Sequence, residues 1–201
     1  MNSGIVHIVD DDEAIRDALS WLFRSRGVLT ADWPSAIAFL GDYSPHMAGC
    51  LLLDVRMEGM SGLQLFDELL VRGCGMPTIF LTGHGDVPLA VAALKKGAHD
   101  FFEKPFNDNE LVDRVIEALG QDAARRANQA QGADQAARIA SLSEREHQIM
   151  DLILAGKLNK LIADELNIAM RTVEVHRARI FEKMGVKSAV ELAQRLSGKT
   201  P

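Results

Sequence analysis

Cysteine is scarce in this 201-residue chain, and what little there is lacks metal-ligand spacing. Cys50 and Cys74 stand singly in apolar or glycine-rich surroundings. That pattern argues against a disulfide scaffold or a zinc ribbon and fits small buried residues in a reducing cytoplasm. No apolar run approaches the roughly 20 residues that a membrane-spanning helix needs. The opening MNSGIVHIVDDDE has neither the basic nor the long apolar stretch of a secretory signal, so a cytoplasmic location is expected. A strong basic excess is missing as well. The net charge is −6, and charge alone does not point to nucleic acid.

What is present is ordinary for a globular protein, with 47% hydrophobic and 25% charged residues in a length that suits one large domain or two small ones. The charge is uneven. Residues 1–120 carry 9 Lys and Arg against 18 Asp and Glu, whereas residues 139–201 carry 10 against 8. An acidic first part beside a mildly basic last part suggests two domains with different partners.

Along the first 120 residues, short apolar runs alternate with amphipathic stretches. Ile5–Val9, a weaker Val28–Ala31, Cys50–Leu53, Thr78–Leu81 and His99–Phe102 read as buried parallel strands. Helical spacing appears near 13–26, 34–41, 62–72, 87–96 and 108–119, as with Ile15, Leu19, Leu22 and Phe23 in the first. Five strands alternating with five helices predict a doubly wound five-stranded parallel α/β sheet, the flavodoxin-like order, with ligands at the carboxyl ends of the strands. This domain is assigned residues 1–119. Residues 120–138, rich in Ala, Gln and Arg without large apolar side chains, read as a linker with helical propensity and no face suited to a core. Residues 139–201 are patterned as a smaller all-α domain of four helices, near 144–154, 159–166, 170–184 and 188–197. Ser143 and Glu146 form a capping box before the first of them.

Carboxylates end two of the predicted strands: Asp10 and Asp11 follow the first, and Asp54 follows the third. In this topology those strands are neighbours, so three like charges converge and need a cation. A hard divalent ion with oxygen ligands suits them, Mg²⁺ best of all beside a phosphoryl group. Asp12 and Glu13 read instead as a solvated helix start. Thr82 and Lys104 follow the fourth and fifth strands. A hydroxyl and an ammonium beside three carboxylates suit a transferred phosphoryl group, with Asp54 as the nucleophile.

Ile8-Val9-Asp10-Asp11, Leu53-Asp54-Val55-Arg56-Met57, Leu81-Thr82-Gly83-His84-Gly85-Asp86 and Glu103-Lys104-Pro105-Phe106 resemble the receiver motifs of two-component response regulators, in particular the FixJ branch of the FixJ/NarL family. The resemblance implies that Asp54 accepts phosphate from a sensor histidine kinase. It also implies that Asp11, Asp54 and the backbone carbonyl of Arg56 bind Mg²⁺, with Asp10 helping through water. Thr82 and Phe101 fall at the family's switch positions. Glu58 stands where the family commonly has Pro, freeing the backbone beside the metal site and adding a negative charge. A phosphatase of the haloacid-dehalogenase type is the alternative; it places a second Asp two residues after the nucleophile, where this chain has Arg56.

In the last domain, Leu161, Ile162, Leu166, Ile168, Val173 and Ile180 are expected to pack inward, with Ala163 letting two helices cross closely. By itself this describes a helical bundle with a charged face, suited to DNA or to a protein partner. Leu142-Ser143-x-Arg145-Glu146, Asn159-Lys160-x-x-Ala163, Arg171-Thr172-Val173-x-x-His176 and Ile180-x-x-Lys183 resemble the LuxR-type helix-turn-helix output domain. The resemblance implies DNA contacts from Lys160, Arg171, Thr172, Glu174, Val175, His176, Arg177 and Arg179, with Arg177 and Arg179 foremost. Ala169-Met170 replaces a Ser-containing turn, leaving Thr172 as a substitute cap. The whole reads as a phosphorylation-dependent transcription factor and not an enzyme. Its expected partners are a sensor kinase, promoter DNA, a second copy of itself on phosphorylation, and RNA polymerase.

Overall fold

A computed structural model of the chain describes residues 4–83 and 87–197. His84, Gly85 and Asp86 of the fourth motif lie outside the described residues. Five parallel strands form one sheet: β1 (Ile5–Val9), β2 (Leu29–Trp33), β3 (Gly49–Asp54), β4 (Thr78–Thr82) and β5 (Asp100–Glu103), in the order β2-β1-β3-β4-β5. This is the predicted doubly wound topology. The intervening helices are α1 (Glu13–Ser25), α2 (Ala36–Asp42), α3 (Gly62–Val71) and α4 (Val87–Lys95), with α5 (Asp108–Ala140) after the last strand.

Side chains of a strand alternate between the two faces of a sheet, and both faces here are apolar. Val6, Ile8, Cys50, Leu52, Ile79 and Leu81 pack against α1 and α5. Val9, Leu51, Leu53 and Phe80 pack against α2, α3 and α4. The strand β2 starts one residue later than the apolar run suggested, because Val28 completes the turn that closes α1. Gly27 takes φ +72°, the Val28 N–H bonds the Phe23 carbonyl, and the Val28 side chain is buried against α1. Pro34 and the capping hydroxyl of Ser35, which accepts from the Ala38 N–H at 3.1 Å, delay α2 to Ala36.

The expected linker is the main departure. The helix α5 runs unbroken for 33 residues, and the chain divides into two units between Ala127 and Asn128 rather than at 119. Residues 120–127 belong to the first unit for a polar reason that hydrophobic patterning does not register. Asp122 is buried, accepts the Gly49 N–H at 3.0 Å and pairs with Arg125 at 2.5 Å. Arg126 donates to the carbonyls of His46 and Met47, both at 3.0 Å. At the other end, Arg138 pairs with Asp134 and donates to the Lys183 carbonyl, which ties residues 134–138 to the second unit.

The second unit adds α6 (Glu144–Leu154), α7 (Asn159–Leu166), α8 (Met170–Met184) and α9 (Ala189–Leu196) around one core that includes Ile149, Ile162, Val173, Ile180 and Leu192. Ser143 and Glu146 make the expected capping box on α6. Lys183 reaches the same Glu146 carboxylate at 2.6 Å and ties the end of α8 to the start of α6. That ion pair, with the Ser143 amide, holds the Glu146 carboxyl down to about 2. Two expectations fail here. Leu161 is 55% exposed, because it lies on the outer side of a two-turn helix whose inner side is spent on Ile162 and Ala163. Thr172 does not cap α8: the N-cap is Ala169, without a side-chain bond, and Thr172 lies inside the first turn with its N–H on the Ala169 carbonyl.

Candidate functional site

The parallel register brings Val9 beside Leu53 and Asp54 beside Leu81, so the polar residues that end β1, β3, β4 and β5 share one edge of the sheet. Lys104 joins them. Its Nζ lies 2.6 Å from Asp54 Oδ1 and 2.8 Å from Asp10 Oδ2. The second oxygen of Asp54 accepts the Arg56 N–H at 2.7 Å, and Asp10 Oδ1 accepts the Asp12 N–H at 2.9 Å. Asp11 stands further out, taking the Glu58 N–H on Oδ2 at 3.0 Å. Thr82 is buried, and its hydroxyl donates to the Gly83 carbonyl at 3.1 Å.

Burial pushes the Asp54 carboxyl above its ordinary range and the charge of Asp10 adds to this, while Lys104 and the Arg56 amide pull the other way. Burial also works against the charge on Lys104. There the hydrogen bonds and charges of Asp10 and Asp54 outweigh it and hold the ammonium above its ordinary pKa. The result is a carboxylate with one face toward a fixed cation, the arrangement a nucleophilic oxygen needs beside a charge-bearing electrophile. Among the described residues no three His, Cys, Asp or Glu stand together as a ready metal cage. Asp10 and Asp54 are turned onto Lys104 instead. The donors are nonetheless all oxygen, which suits a hard divalent ion in kind.

Phe101 is half-buried and packs with the cluster under α3 and α4, whereas Phe102 packs on the α1 and α5 side. Strand alternation separates these neighbours and leaves Phe101 on the face toward α4.

On the second unit, α8 buries Val173 and Ile180. Helical spacing then turns Arg171, Glu174, Val175 and Arg179 outward, and all four are exposed, as are Thr172 and Lys160 on α7. His176 and Arg177 are half-buried. The Arg177 guanidinium lies over the Phe181 ring, 5.3 Å from its centroid, and this contact separates Arg177 from Arg179, its expected equal on the outer face. Lys157 is paired with Glu165 and Lys183 with Glu146, so these two cations are engaged within the unit.

Two family models match the chain: response regulator receiver domain over residues 6–116, and bacterial regulatory proteins, luxR family, over residues 140–196. The chain belongs to the FixJ/NarL-type response regulators. It is 53% identical over 191 residues to the C4-dicarboxylate transport transcriptional regulatory protein DctR of Rhodobacter capsulatus, across 94% of this chain and 97% of that one. It is 45% identical over 198 residues to the transcriptional regulatory protein FixJ of Azorhizobium caulinodans, across 98% and 94%. Among solved structures, the response regulator StyR matches with a TM-score of 0.92 at 39% identity, covering 97% of this chain and 98% of that chain. A receiver and a LuxR-type domain in one such regulator make a phosphorylation-dependent transcriptional regulator, not an enzyme in its own right. Among the described residues no helix is long and apolar enough to cross a membrane.

Sequence reasoning did not find three contributors to the receiver pocket. The backbone amides of Arg56 and Glu58 hold carboxylates, and main-chain donors carry no residue signature. Arg16 donates to the Asp10 carbonyl at 2.8 Å. Its one visible signal was a charge beside the apolar stripe of α1.

Proposed function

We propose that Asp54 is the phosphoacceptor of this response regulator, taking a phosphoryl group from the histidine of a sensor kinase. The single observation that carries the reading is the Lys104 ammonium held between Asp54 and Asp10 at the carboxyl edge of the sheet. An Asp54 oxygen forms the new P–O bond as the P–N bond to the kinase imidazole breaks, the electron pair leaving with that nitrogen. Lys104 moves its charge onto the incoming phosphoryl oxygens, and the Thr82 hydroxyl turns from the Gly83 carbonyl to donate to one of them. Asp10, Asp11, Asp54 and the Arg56 carbonyl would hold Mg²⁺, the ion that receiver domains generally bind, and it would offset the charge gathered there.

Movement of Thr82 makes room for Phe101 to shift on the face toward α4, and this pair is the switch. Leu89, Val91 and Leu94 of α4 are partly exposed, a surface suited to pairing two phosphorylated receivers. Pairing places two output domains on one DNA, where linked binding typically raises avidity by about 10²–10⁴-fold. That gain compensates for a domain whose net basic excess is small. Lys160, Arg171, Thr172, Glu174, Val175 and Arg179 face the promoter, with His176 and Arg177 at the flank. Bound in this way, the regulator presents itself to RNA polymerase.

Incubation with acetyl phosphate and Mg²⁺ tests the reading by intact mass. One added phosphoryl group on the native chain and none on Asp54→Asn is the expected result; equal labelling of the variant refutes the assignment. A gel shift that strengthens on phosphorylation and weakens steeply with salt is expected alongside.

A further inference from the structure

We propose that Arg16 is a positioning residue for the phosphorylation site, setting the peptide plane that aims Asp11. The proposal rests on the assignment of Asp54 as phosphoacceptor. Arg16 lies on α1 with its side chain only 12% exposed. The N-cap Asp12, which accepts from the Ala14 N–H at 2.9 Å, starts the helix so that Arg16 comes one turn later, behind the acidic pair. From there Nη1 donates to the Asp10 carbonyl at 2.8 Å, and Nε stands 3.6 Å from Asp32 Oδ2 on β2, an ion pair rather than a hydrogen bond.

This contact completes the restraint of Asp10. Its N–H goes to the Trp33 carbonyl at 3.3 Å, one carboxylate oxygen to the Asp12 amide and the other to Lys104. The Asp10 carbonyl was the remaining polar group, and Arg16 holds it. That carbonyl and the Asp11 N–H belong to one planar peptide unit. Fixing the oxygen therefore fixes how Asp11 leaves the strand, and the Asp11 carboxylate is otherwise anchored by the Glu58 amide at 3.0 Å. A nearly buried guanidinium that meets a carbonyl is costly unless nearby negative charge compensates it. Asp32 supplies such a charge at 3.6 Å, and the acidic pair Asp10 and Asp11 stands at the same end of α1. Lys104 works differently: it touches the carboxylates themselves, whereas the hydrogen bond of Arg16 goes to backbone.

The test uses the full chain in native, Arg16→Met, Arg16→Gln, Arg16→Lys and Asp54→Asn forms. Mg²⁺ affinity of the unphosphorylated proteins is measured by calorimetry, labelling by acetyl phosphate is followed across Mg²⁺ concentrations, and each variant is melted. Outer partners of metal ligands commonly change affinity by 10-fold or more, so Arg16→Met is expected to weaken Mg²⁺ binding about tenfold. Its labelling rate should return toward native at saturating Mg²⁺. Arg16→Gln, which keeps a donor without the charge, should lose less, and Arg16→Lys should recover most of the affinity. Native Mg²⁺ affinity in a folded Arg16→Met protein overturns the proposal. So does slowed labelling that no Mg²⁺ concentration repairs while affinity stays native. If Arg16→Met does not fold, native affinity in Arg16→Gln overturns it equally. Labelling of Asp54→Asn to the native extent would instead remove the phosphoacceptor assignment itself, which keeps the two failures apart.

Discussion

In the receiver unit two apolar clusters enclose a sheet from both sides, whereas in the output unit a single cluster fills the space among four short helices. The aromatic side chains divide the same way. Trp21, Trp33, Tyr43 and every phenylalanine except Phe181 belong to the first unit. The functional surfaces follow from these architectures. The receiver pocket joins Lys104 to residues 94 and 50 positions away, because neighbouring parallel strands end at one edge. The outward face of α8 is assembled from residues within one helix. A pocket of the first kind depends on the whole sheet holding its register, while a face of the second kind needs only a helix seated by Val173 and Ile180.

Core substitutions should separate the units most sharply. Phe80→Ala is expected to cost the receiver about 3–5 kcal/mol, and Ile162→Ala to cost the output unit about 2–5 kcal/mol. Since both tryptophans belong to the receiver, fluorescence follows that unit while far-ultraviolet dichroism follows both. Phe80→Ala should shift the fluorescence transition in denaturant and Ile162→Ala should leave it in place. A fluorescence shift in Ile162→Ala would show that the units do not stand apart.

Asp122 sharpens where the comparison begins. It lies beyond residue 119 yet accepts a buried receiver amide, so Asp122→Ala should destabilise the receiver transition by about 1–3 kcal/mol. An effect confined to the output unit would move the boundary back toward 119.

Acid should unfold the two units through different groups. His7 is buried against Trp33 and Phe39, and that burial lowers its pKa, although the bond to the Ala48 carbonyl and the charge of Asp122 oppose it. Below histidine's ordinary 6.5 the unfolded chain takes the proton first, so receiver stability falls as pH drops through that value. Glu146 acts in the same direction at lower pH, because here it is the charged form that the fold holds. Its contribution is complete above the ordinary 4.5 and is lost as pH falls toward about 2. Chemical melts from pH 8 to pH 3 should show the receiver weakening first, with His7→Gln flattening its slope near pH 6.5, while Glu146→Gln weakens only the output unit, fully above about 4.5 and by less as pH falls below it. Equal slopes in native and His7→Gln proteins would remove His7 from the account.

The smallest effect concerns helix ends. Receiver helices α1, α2 and α3 have side-chain caps, whereas α7 and α8 of the output unit have none. Ala169→Ser should add a cap and stabilise the output unit by about 0.5–1 kcal/mol. An unchanged midpoint would mean that the first turn of α8 is already satisfied in another way.

Much of the site was legible because buried strands announce themselves as apolar runs, and a charge that interrupts such a run marks its end. Asp10, Asp54, Thr82 and Lys104 were found in that way; the side chains of Asp10, Asp54 and Lys104 meet, while Thr82 meets Lys104 through its backbone carbonyl. Other parts were not legible, for separable reasons. The Asp122 bond to Gly49 joins positions 73 residues apart, and nothing in a polar, alanine-rich stretch distinguishes this aspartate from a solvated one. Arg177 and Arg179 look equivalent as residue types, but only the packed helix shows that one lies over Phe181 while the other is exposed.

The order of residues by itself determined the parallel α/β unit, the helical output unit and the set of polar groups at the strand ends, since periodicity of burial is written along the chain. Tertiary structure alone decided which partner each of those groups holds: Lys104 between two carboxylates, Arg16 on a carbonyl behind them, Asp122 drawn into the receiver from an expected linker. Hydrogen bonds and ion pairs depend on distances of a few ångströms between residues far apart in sequence. Those distances exist only once the sheet has closed.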